Sequence, residues 1–263
     1  MFPSDLPPVK NKFLYSYRVF MKWFSFFFFG LTSIILSIII LPPMRLLFHP
    51  NERFKKYARR LVSVFFRFFV FLMHFIGIVD LEPGDKKQYK TLYSKIVVAN
   101  HPSLLDVVML ISLIPNADCV VAAYVKHGIL RLIVNQLYIL NDDDYEKIFS
   151  ECNKSLKLGN CLIVFPEGTR TPRTRRNPVK KGAARVALTS GCNIVPVHIG
   201  GTDKFGLGKK DPWRGFNPTE KYVYRLTMKP EINIEKYKDY PRPAATRALT
   251  KEISSVLFPE IIL

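Results

Sequence analysis

From Trp23 to Leu41 the chain runs for 19 residues without a charged side chain, through four consecutive phenylalanines and Ile38, Ile39 and Ile40, until Pro42 and Pro43 end it. A helix needs about 20 such residues to cross a bilayer. This run therefore restricts the chain to folds that either bury a long apolar helix or give it to lipid, and the lipid reading is the stronger. It is too long and too deep in the chain for a signal peptide, and no A-x-A-like site follows it. A second apolar run, residues 61–79, carries Arg67 and His74. A charge within a span is costly in lipid, so a core helix and a membrane segment are equal readings there. Lys10, Lys12, Arg18 and Lys22 precede the first run, and Arg45, Arg53, Lys55, Lys56, Arg59 and Arg60 follow it. Positive charge marks the cytoplasmic side. With both flanks basic, a re-entrant or interfacial element fits better than a single span or a hairpin. Residues 51–60 would then lie against anionic headgroups, with a solvated helix face as the competing reading.

The whole chain of 263 residues carries 39 Lys and Arg against 21 Asp and Glu, a net charge of +18, and 48% of it is hydrophobic. So apolar a chain is not a disordered basic tail, because it has the residues to build a core. A protein both basic and apolar has two natural partners, nucleic acid and an anionic membrane surface. No helix-turn-helix, zinc-finger or aromatic RNA-binding signature accompanies the charge, so no nucleic acid partner is expected. Cys119, Cys152, Cys161 and Cys192 form no C-x-x-C pair and have no histidine at zinc-ligand spacing. They read as buried thiols in a reducing compartment, with no metal site.

The apolar excess lies before residue 82, and the division expected is a membrane-associated helical region over 1–82 and a second domain over 83–263. Residues 81–95 are polar, contain Pro83 and Gly84, and read as a linker. Beyond them strands (96–99, 119–125, 161–165, 194–199 and 222–228) alternate with helices (103–113, 145–158 and 181–189). This order predicts an α/β fold, a mostly parallel central sheet flanked by helices.

Two motifs stand at strand ends. Asn100-His101-Pro102-Ser103-Leu104-Leu105-Asp106 follows the first strand. With Pro102 as the first helical residue, His101 would sit just outside the helix and Asp106 in its second turn, so that the imidazole can fold back onto the carboxylate. Such a pair makes a general base, the carboxylate fixing the tautomer and stabilising the imidazolium that forms. A lone His–Asp spacing is, by itself, more often a capping histidine beside an unrelated surface aspartate. Phe165-Pro166-Glu167-Gly168-Thr169-Arg170 ends another strand. Here Gly168 lets the backbone approach a ligand, Thr169 offers a hydroxyl, and Arg170 can hold a phosphate bidentately. In α/β folds ligands collect beyond the carboxyl ends of strands, so the two motifs can share one site. Arg173, Arg175, Arg176, Lys180, Lys181 and Arg185 follow, either as a solvated face or to attract an anionic substrate, an acidic carrier protein or the membrane. No G-x-S-x-G, Walker loop or dinucleotide fingerprint is present, and no Ser or Cys nucleophile stands out. That points to direct attack by a substrate hydroxyl deprotonated by His101.

The two motifs together, in this order and about sixty residues apart, resemble the glycerolipid acyltransferase family. Within it they look most like the 1-acyl-glycerol-3-phosphate (lysophosphatidic acid) acyltransferase branch. The match continues through Lys180 to Leu188 and Ile194 to Val197, and covers about residues 96–200. The resemblance implies a glycerol-3-phosphate acyltransferase-like fold and a His101–Asp106 base acting on the free hydroxyl of a lysophospholipid. It implies that Glu167, Gly168, Thr169 and Arg170 bind the glycerol phosphate. The donor implied is an acyl thioester of coenzyme A or of acyl carrier protein, with no metal or redox cofactor. The family's middle block ends in a strand followed by Arg, whereas Asn141 stands there in this chain; Lys126 or Arg131 is the candidate substitute. The departure keeps open an alternative acceptor, such as a lyso-ornithine lipid, a lipid A-like acceptor or a polyene product. A non-catalytic membrane-associated protein or a basic nucleic-acid-binding module is a further alternative. The location expected is a membrane, with the catalytic domain on its cytoplasmic face (the inner membrane if bacterial).

Overall fold

The computed structural model describes residues 5–122, 137–141 and 145–258. The chain opens with α1 (Lys12–Ile35), which passes through a short π-helical stretch (Leu36–Ile40) into α2 (Leu41–Leu47). Together they form one helix of 36 residues, among the described residues the one helix long and apolar enough to cross a membrane. Thr32 and Ser37 bond back to carbonyls one turn earlier in this stretch, and Phe13, Phe20, Phe27, Ile38, Ile39, Leu46 and Leu47 stay exposed. Helix α3 (Asn51–Phe75) then returns across the fold. Its apolar residues Phe54, Ala58, Val62, Phe66, Phe69 and Met73 recur every three or four positions and are all buried. That single stripe is what a helix covering a sheet requires. Thus one face of the second apolar run is core, while Phe68, Phe71 and Phe75 face outward.

Next come β1 (Val79–Glu82), α4 (Lys86–Lys90), β2 (Ile96–Ala99), α5 (Asp106–Leu113), β3 (Ala117–Ala122) and β4 (Ile139–Asn141). They are followed by α6 (Tyr145–Lys157), β5 (Cys161–Val164), α7 (Gly182–Ser190), β6 (Ile194–Gly201), β7 (Tyr222–Met228) and α8 (Arg242–Leu257). The seven strands of the described residues form one sheet in the order β1-β7-β6-β2-β5-β3-β4. Every pairing is parallel except β6 with β7. The mostly parallel α/β sheet expected from the sequence is therefore present. The polar stretch 81–95, expected to be a linker, instead holds the end of β1 and the short α4, because β1 finds its partner in β7, far away in sequence. The strand expected at 119–125 is β3, and its described part begins earlier, at Ala117.

Both faces of the sheet are covered, which is why β2 is apolar at every position. Val97 and Ala99 pack toward α3 and α5, whereas Ile96 and Val98 pack toward α6, α7 and α8. The connection after β2 leads by α5 to β3 on one side; the connection after β5 leads by α7 to β6 on the other. The order of travel reverses between β2 and β5, and in open α/β sheets that switch point is where the carboxyl ends splay to leave a crevice. The two sequence motifs follow these two strands.

One polar link fixes α3 to the sheet. Arg59 donates to Asp118 of β3 at 2.7 Å, with both side chains almost fully buried. Asp118 also accepts from Ser155 of α6 at 2.8 Å and from the backbone N–H of Cys119 at 3.0 Å. Arg59 is thus withdrawn from the surface formed by residues 51–60, contrary to the headgroup role expected for it. We predict that Arg59→Met, which strands a buried carboxylate, destabilises the fold by about 3–5 kcal/mol. Denaturant unfolding of the purified protein measures this; a change below about 1 kcal/mol would show the pair to be energetically neutral.

Candidate active site

His101 and Asp106 meet, but by a different local structure from the expected one. The helix begins at Asp106, and residues 102–105 form a turn. The cause is Ser103. Its backbone N–H donates to Asp106 Oδ2 at 2.7 Å and its hydroxyl to Asp106 Oδ1 at 2.6 Å. These bonds pull the carboxylate back over the turn and satisfy the Ser103 N–H, which a helix starting at Pro102 would leave without a partner in its own ladder. Asp106 is fully buried. Its Oδ2 also meets His101 Nδ1 at 2.8 Å. The imidazole stacks on Phe165, the first residue of the second motif, with ring centroids 4.1 Å apart. No described residue bonds to Nε2, and the side chain is 20% exposed.

Two further contacts hold the turn. The amide of Asn100 donates to Ile199 O at 2.9 Å and accepts from Ile199 N–H at 2.6 Å, extending the β2–β6 ladder by one side chain. The Ser103 hydroxyl lies 2.7 Å from the Tyr224 hydroxyl of β7. Because Ser103 gives its proton to Asp106, Tyr224 must donate to Ser103. Burial holds the Tyr224 phenol well above its usual range, which keeps it a donor.

The second motif turns tightly. Gly168 takes a φ of +68°, and a Cβ there would fall 2.8 Å from Lys180 Nζ. The turn brings Glu167 under His101, whose backbone N–H lies 3.4 Å from Glu167 Oε1 and 3.1 Å from Thr171 Oγ1. Thr171 closes the arrangement, its hydroxyl donating to Glu167 Oε1 and its N–H to His101 O. Burial pushes the Glu167 carboxyl up, and the Thr171 hydroxyl pulls it partly back. The other oxygen, Oε2, is buried beside Asn177 without a well-formed hydrogen bond. Arg170 donates through Nη1 to Leu207 O at 3.0 Å and Gly208 O at 3.1 Å. Thr169 is held by Lys209 at 3.2 Å.

The structure therefore joins His101, Asp106 and Glu167 directly and sets Gly168, Thr169 and Arg170 on the adjoining turn. Lys126 and Arg131 lie outside the described residues. The basic run after the motif is divided among several contacts. Arg173 forms a forked ion pair with Asp203, and Lys180 covers Gly168. Among the described residues no cluster of His, Cys, Asp or Glu could hold a metal ion.

The sequence reading did not single out Ser103, Thr171, Tyr224 or Lys204. The first two stand within or beside the motifs and could be found there; the last two carry no local signal. Lys204 is buried, donates to Thr202 O and to Val223 O at 2.8 Å, and sits 4.6 Å from the centre of the Tyr224 ring. Burial lowers its pKa to about 8, while Asp106 and other acids oppose that shift.

A class follows from this geometry. A His–Asp pair at the switch point of a mostly parallel sheet, facing a Glu-Gly-Thr-Arg turn, is the arrangement implied by the acyltransferase resemblance. The family model described as Acyltransferase matches residues 85–200, so the resemblance drawn from the two motifs holds. The curated relatives to which the chain is similar carry the name of one branch. The chain is 29% identical over 179 residues to a chloroplastic 1-acyl-sn-glycerol-3-phosphate acyltransferase of Arabidopsis thaliana, covering 66% of this chain and 49% of that protein. It is 33% identical over 134 residues to the 1-acyl-sn-glycerol-3-phosphate acyltransferase of Cocos nucifera, covering 47% of this chain and 42% of that one. The chain spans about half the length of these curated relatives. A crystal structure of the 1-acyl-sn-glycerophosphate acyltransferase from Thermotoga maritima shares the fold, with a TM-score of 0.63, 19% identity and 93% of each chain covered.

The depressed Lys204 gives a pH-dependent prediction. Between about pH 8 and 10.5 the unfolded chain keeps a proton that the folded chain has released. Stability should therefore rise with pH across that window, by at most about 1.4 kcal/mol per pH unit. The stability difference between the wild type and Lys204→Met should change with that slope in denaturant titrations at pH 8 to 10. A pH-independent difference would contradict the lowered pKa.

Proposed function

We propose that the protein is a membrane-bound O-acyltransferase that moves a fatty acyl group from a thioester, of coenzyme A or of acyl carrier protein, to the free hydroxyl of 1-acyl-glycerol-3-phosphate. The observation that carries the reading is the Asp106 carboxylate, buried and saturated by Ser103 and His101 beside an imidazole nitrogen with no described partner. The Ser103 N–H bond marks Oδ2 as an acceptor, so His101 carries its proton on Nδ1 and leaves Nε2 with a free lone pair. The acceptor hydroxyl gives its proton to Nε2 as its oxygen attacks the thioester carbonyl. The tetrahedral intermediate then collapses, the carbon–sulfur bond breaks, and the departing thiolate takes the proton from His101. Asp106 stabilises the imidazolium between the two transfers. No protein nucleophile and no metal enters this sequence.

Arg170 and the turn around Gly168 are assigned to the acceptor phosphate. The Nη1 contacts to two carbonyls orient the guanidinium and leave its other N–H groups to bind. The apolar side chains of α1 and α2 are assigned to the membrane, and the exposed basic residues flanking them support a catalytic domain on the cytoplasmic face. The names of the relatives support this acceptor. Another lysolipid acceptor is the second reading, favoured by Asn141 in place of the expected Arg.

Acyl transfer measured with purified protein over a panel of lysolipids, with both donor types, tests the proposal. The activity should be greatest with 1-acyl-glycerol-3-phosphate. His101→Ala should lose at least about 100-fold in kcat while keeping the wild-type unfolding transition. Arg170→Ala should raise the acceptor KM more than it lowers kcat. Wild-type turnover by the His101 variant would sink the mechanism, and an unchanged acceptor KM would sink the assignment of Arg170.

A further inference from the structure

A second concavity lies on the face of the sheet opposite α3 and α5. It has a volume of about 420 Å³ and opens between α6, α7 and α8. Lys181 and Arg185 line it from the start of α7, and Arg242 and Arg247 from α8. Phe149, Leu188 and Pro243 supply apolar wall. No acidic residue lines it, and none of the four cations has an ion-pair partner among the described residues. Elsewhere Arg59, Arg173, Arg225 and Lys236 are each paired with an acid. Four like charges converging on one pocket repel one another, and a polyanion placed among them relieves that repulsion.

The position selects among anions. The apolar helices α1 and α3 pack on the other face of the sheet, so lipid headgroups approach that side, and this groove faces the aqueous one. Its volume is that of a small-molecule pocket. A concave site with an aromatic and aliphatic wall beside four cations suits a nucleotide, base against Phe149 and phosphates against the cations, better than a flat protein surface. One end of the groove's lining is next in sequence to the site. Lys181 directly follows Lys180, whose ammonium lies over Gly168. From Lys181 the stripe through Arg185 and Leu188 to Thr189 runs about 12 Å along α7.

We propose that this groove binds the phosphorylated adenosine end of a coenzyme A thioester, with its pantetheine arm running past Lys180 to His101. The proposal rests on the acyl-transfer reading and deepens it by assigning the donor's handle. Arg185 and Arg247 are exposed, so replacing them leaves the core intact.

The test compares the wild type with Arg185→Ala/Arg247→Ala, using acyl-CoA and the matching acyl-pantetheine, which keeps the thioester and lacks the nucleotide. The double variant should raise the KM for acyl-CoA about tenfold or more, with the KM for acyl-pantetheine and for the lysolipid unchanged. Adenosine 3′,5′-bisphosphate should compete with acyl-CoA in the wild type, and direct calorimetry without acceptor should show it binding the wild type and not the variant. An active double variant with an unchanged acyl-CoA KM would overturn the proposal, as would an equal rise in the KM for acyl-pantetheine. A wild type that binds the bisphosphate but transfers no acyl group would instead overturn the acyl-transfer reading and leave the nucleotide site standing.

Discussion

The site depends on one buried carboxylate. Asp106 has no exposed surface and accepts three hydrogen bonds, two from Ser103 and one from His101. An ionised carboxylate is costly in such a place unless its lone pairs are filled. Filling them dictates the local fold. The turn over residues 102–105 exists because Ser103 must reach back to Asp106, and helix α5 starts only after it. The same bonds orient the imidazole. Behind Ser103 stand the Tyr224 hydroxyl and, over its ring, the Lys204 ammonium. The carboxylate is therefore supported from β2, β7 and the loop after β6 at once, so a change in any of the three reaches His101.

That convergence is a product of topology. Strands β2 and β5 lie side by side, and their outgoing connections take opposite directions across the sheet. Neither connection crosses the space above their carboxyl ends. Phe165 at the end of β5 lies flat against His101 after β2, and Glu167 and Thr171 bind the His101 backbone. The acid on the second turn is thus part of the support for the first. Replacing Glu167 would loosen His101 as well as the turn that carries Arg170.

What the sequence made legible follows the range of the interactions. The two motifs are contiguous runs at strand ends, and their chemistry is readable from residue types alone. The central strands are readable because β2, β5 and the first half of β6 are buried on both faces and so apolar. Strand β1 is not, because its polar residues Asp80 and Glu82 are tolerated only at the sheet edge beside Lys221 and Arg225. The start of α5 was misplaced because Pro102 is a good first helical residue, while the competing Ser103–Asp106 bonds have no propensity of their own. Tyr224 lies 121 positions from Ser103 and meets it only through the sheet. Lys204 looks like any surface lysine until Thr202 and Val223 take up its ammonium.

Lys22 shows the same limit and links the apolar helix to the chemistry. In the sequence it reads as a flanking charge at the end of an apolar run. In the fold it is buried, donating to Trp213 O at 2.7 Å and Gly215 O at 2.5 Å, while Trp23 stacks on Trp213. Those carbonyls belong to the loop after β6, which folds tightly where Gly206 meets Gly215; a Cβ on Gly206 would fall 2.0 Å from Gly215 O. The next residues of that loop, Leu207 and Gly208, hold Arg170, and Leu207 O accepts the N–H of Leu104 in the turn beside His101. A continuous set of contacts therefore runs from the apolar helix to both motifs. Because an ammonium buried among carbonyls is costly to release without replacement partners, α1 and this loop move together or not at all. The geometry of the site is set in part by a helix whose own surface is suited to lipid.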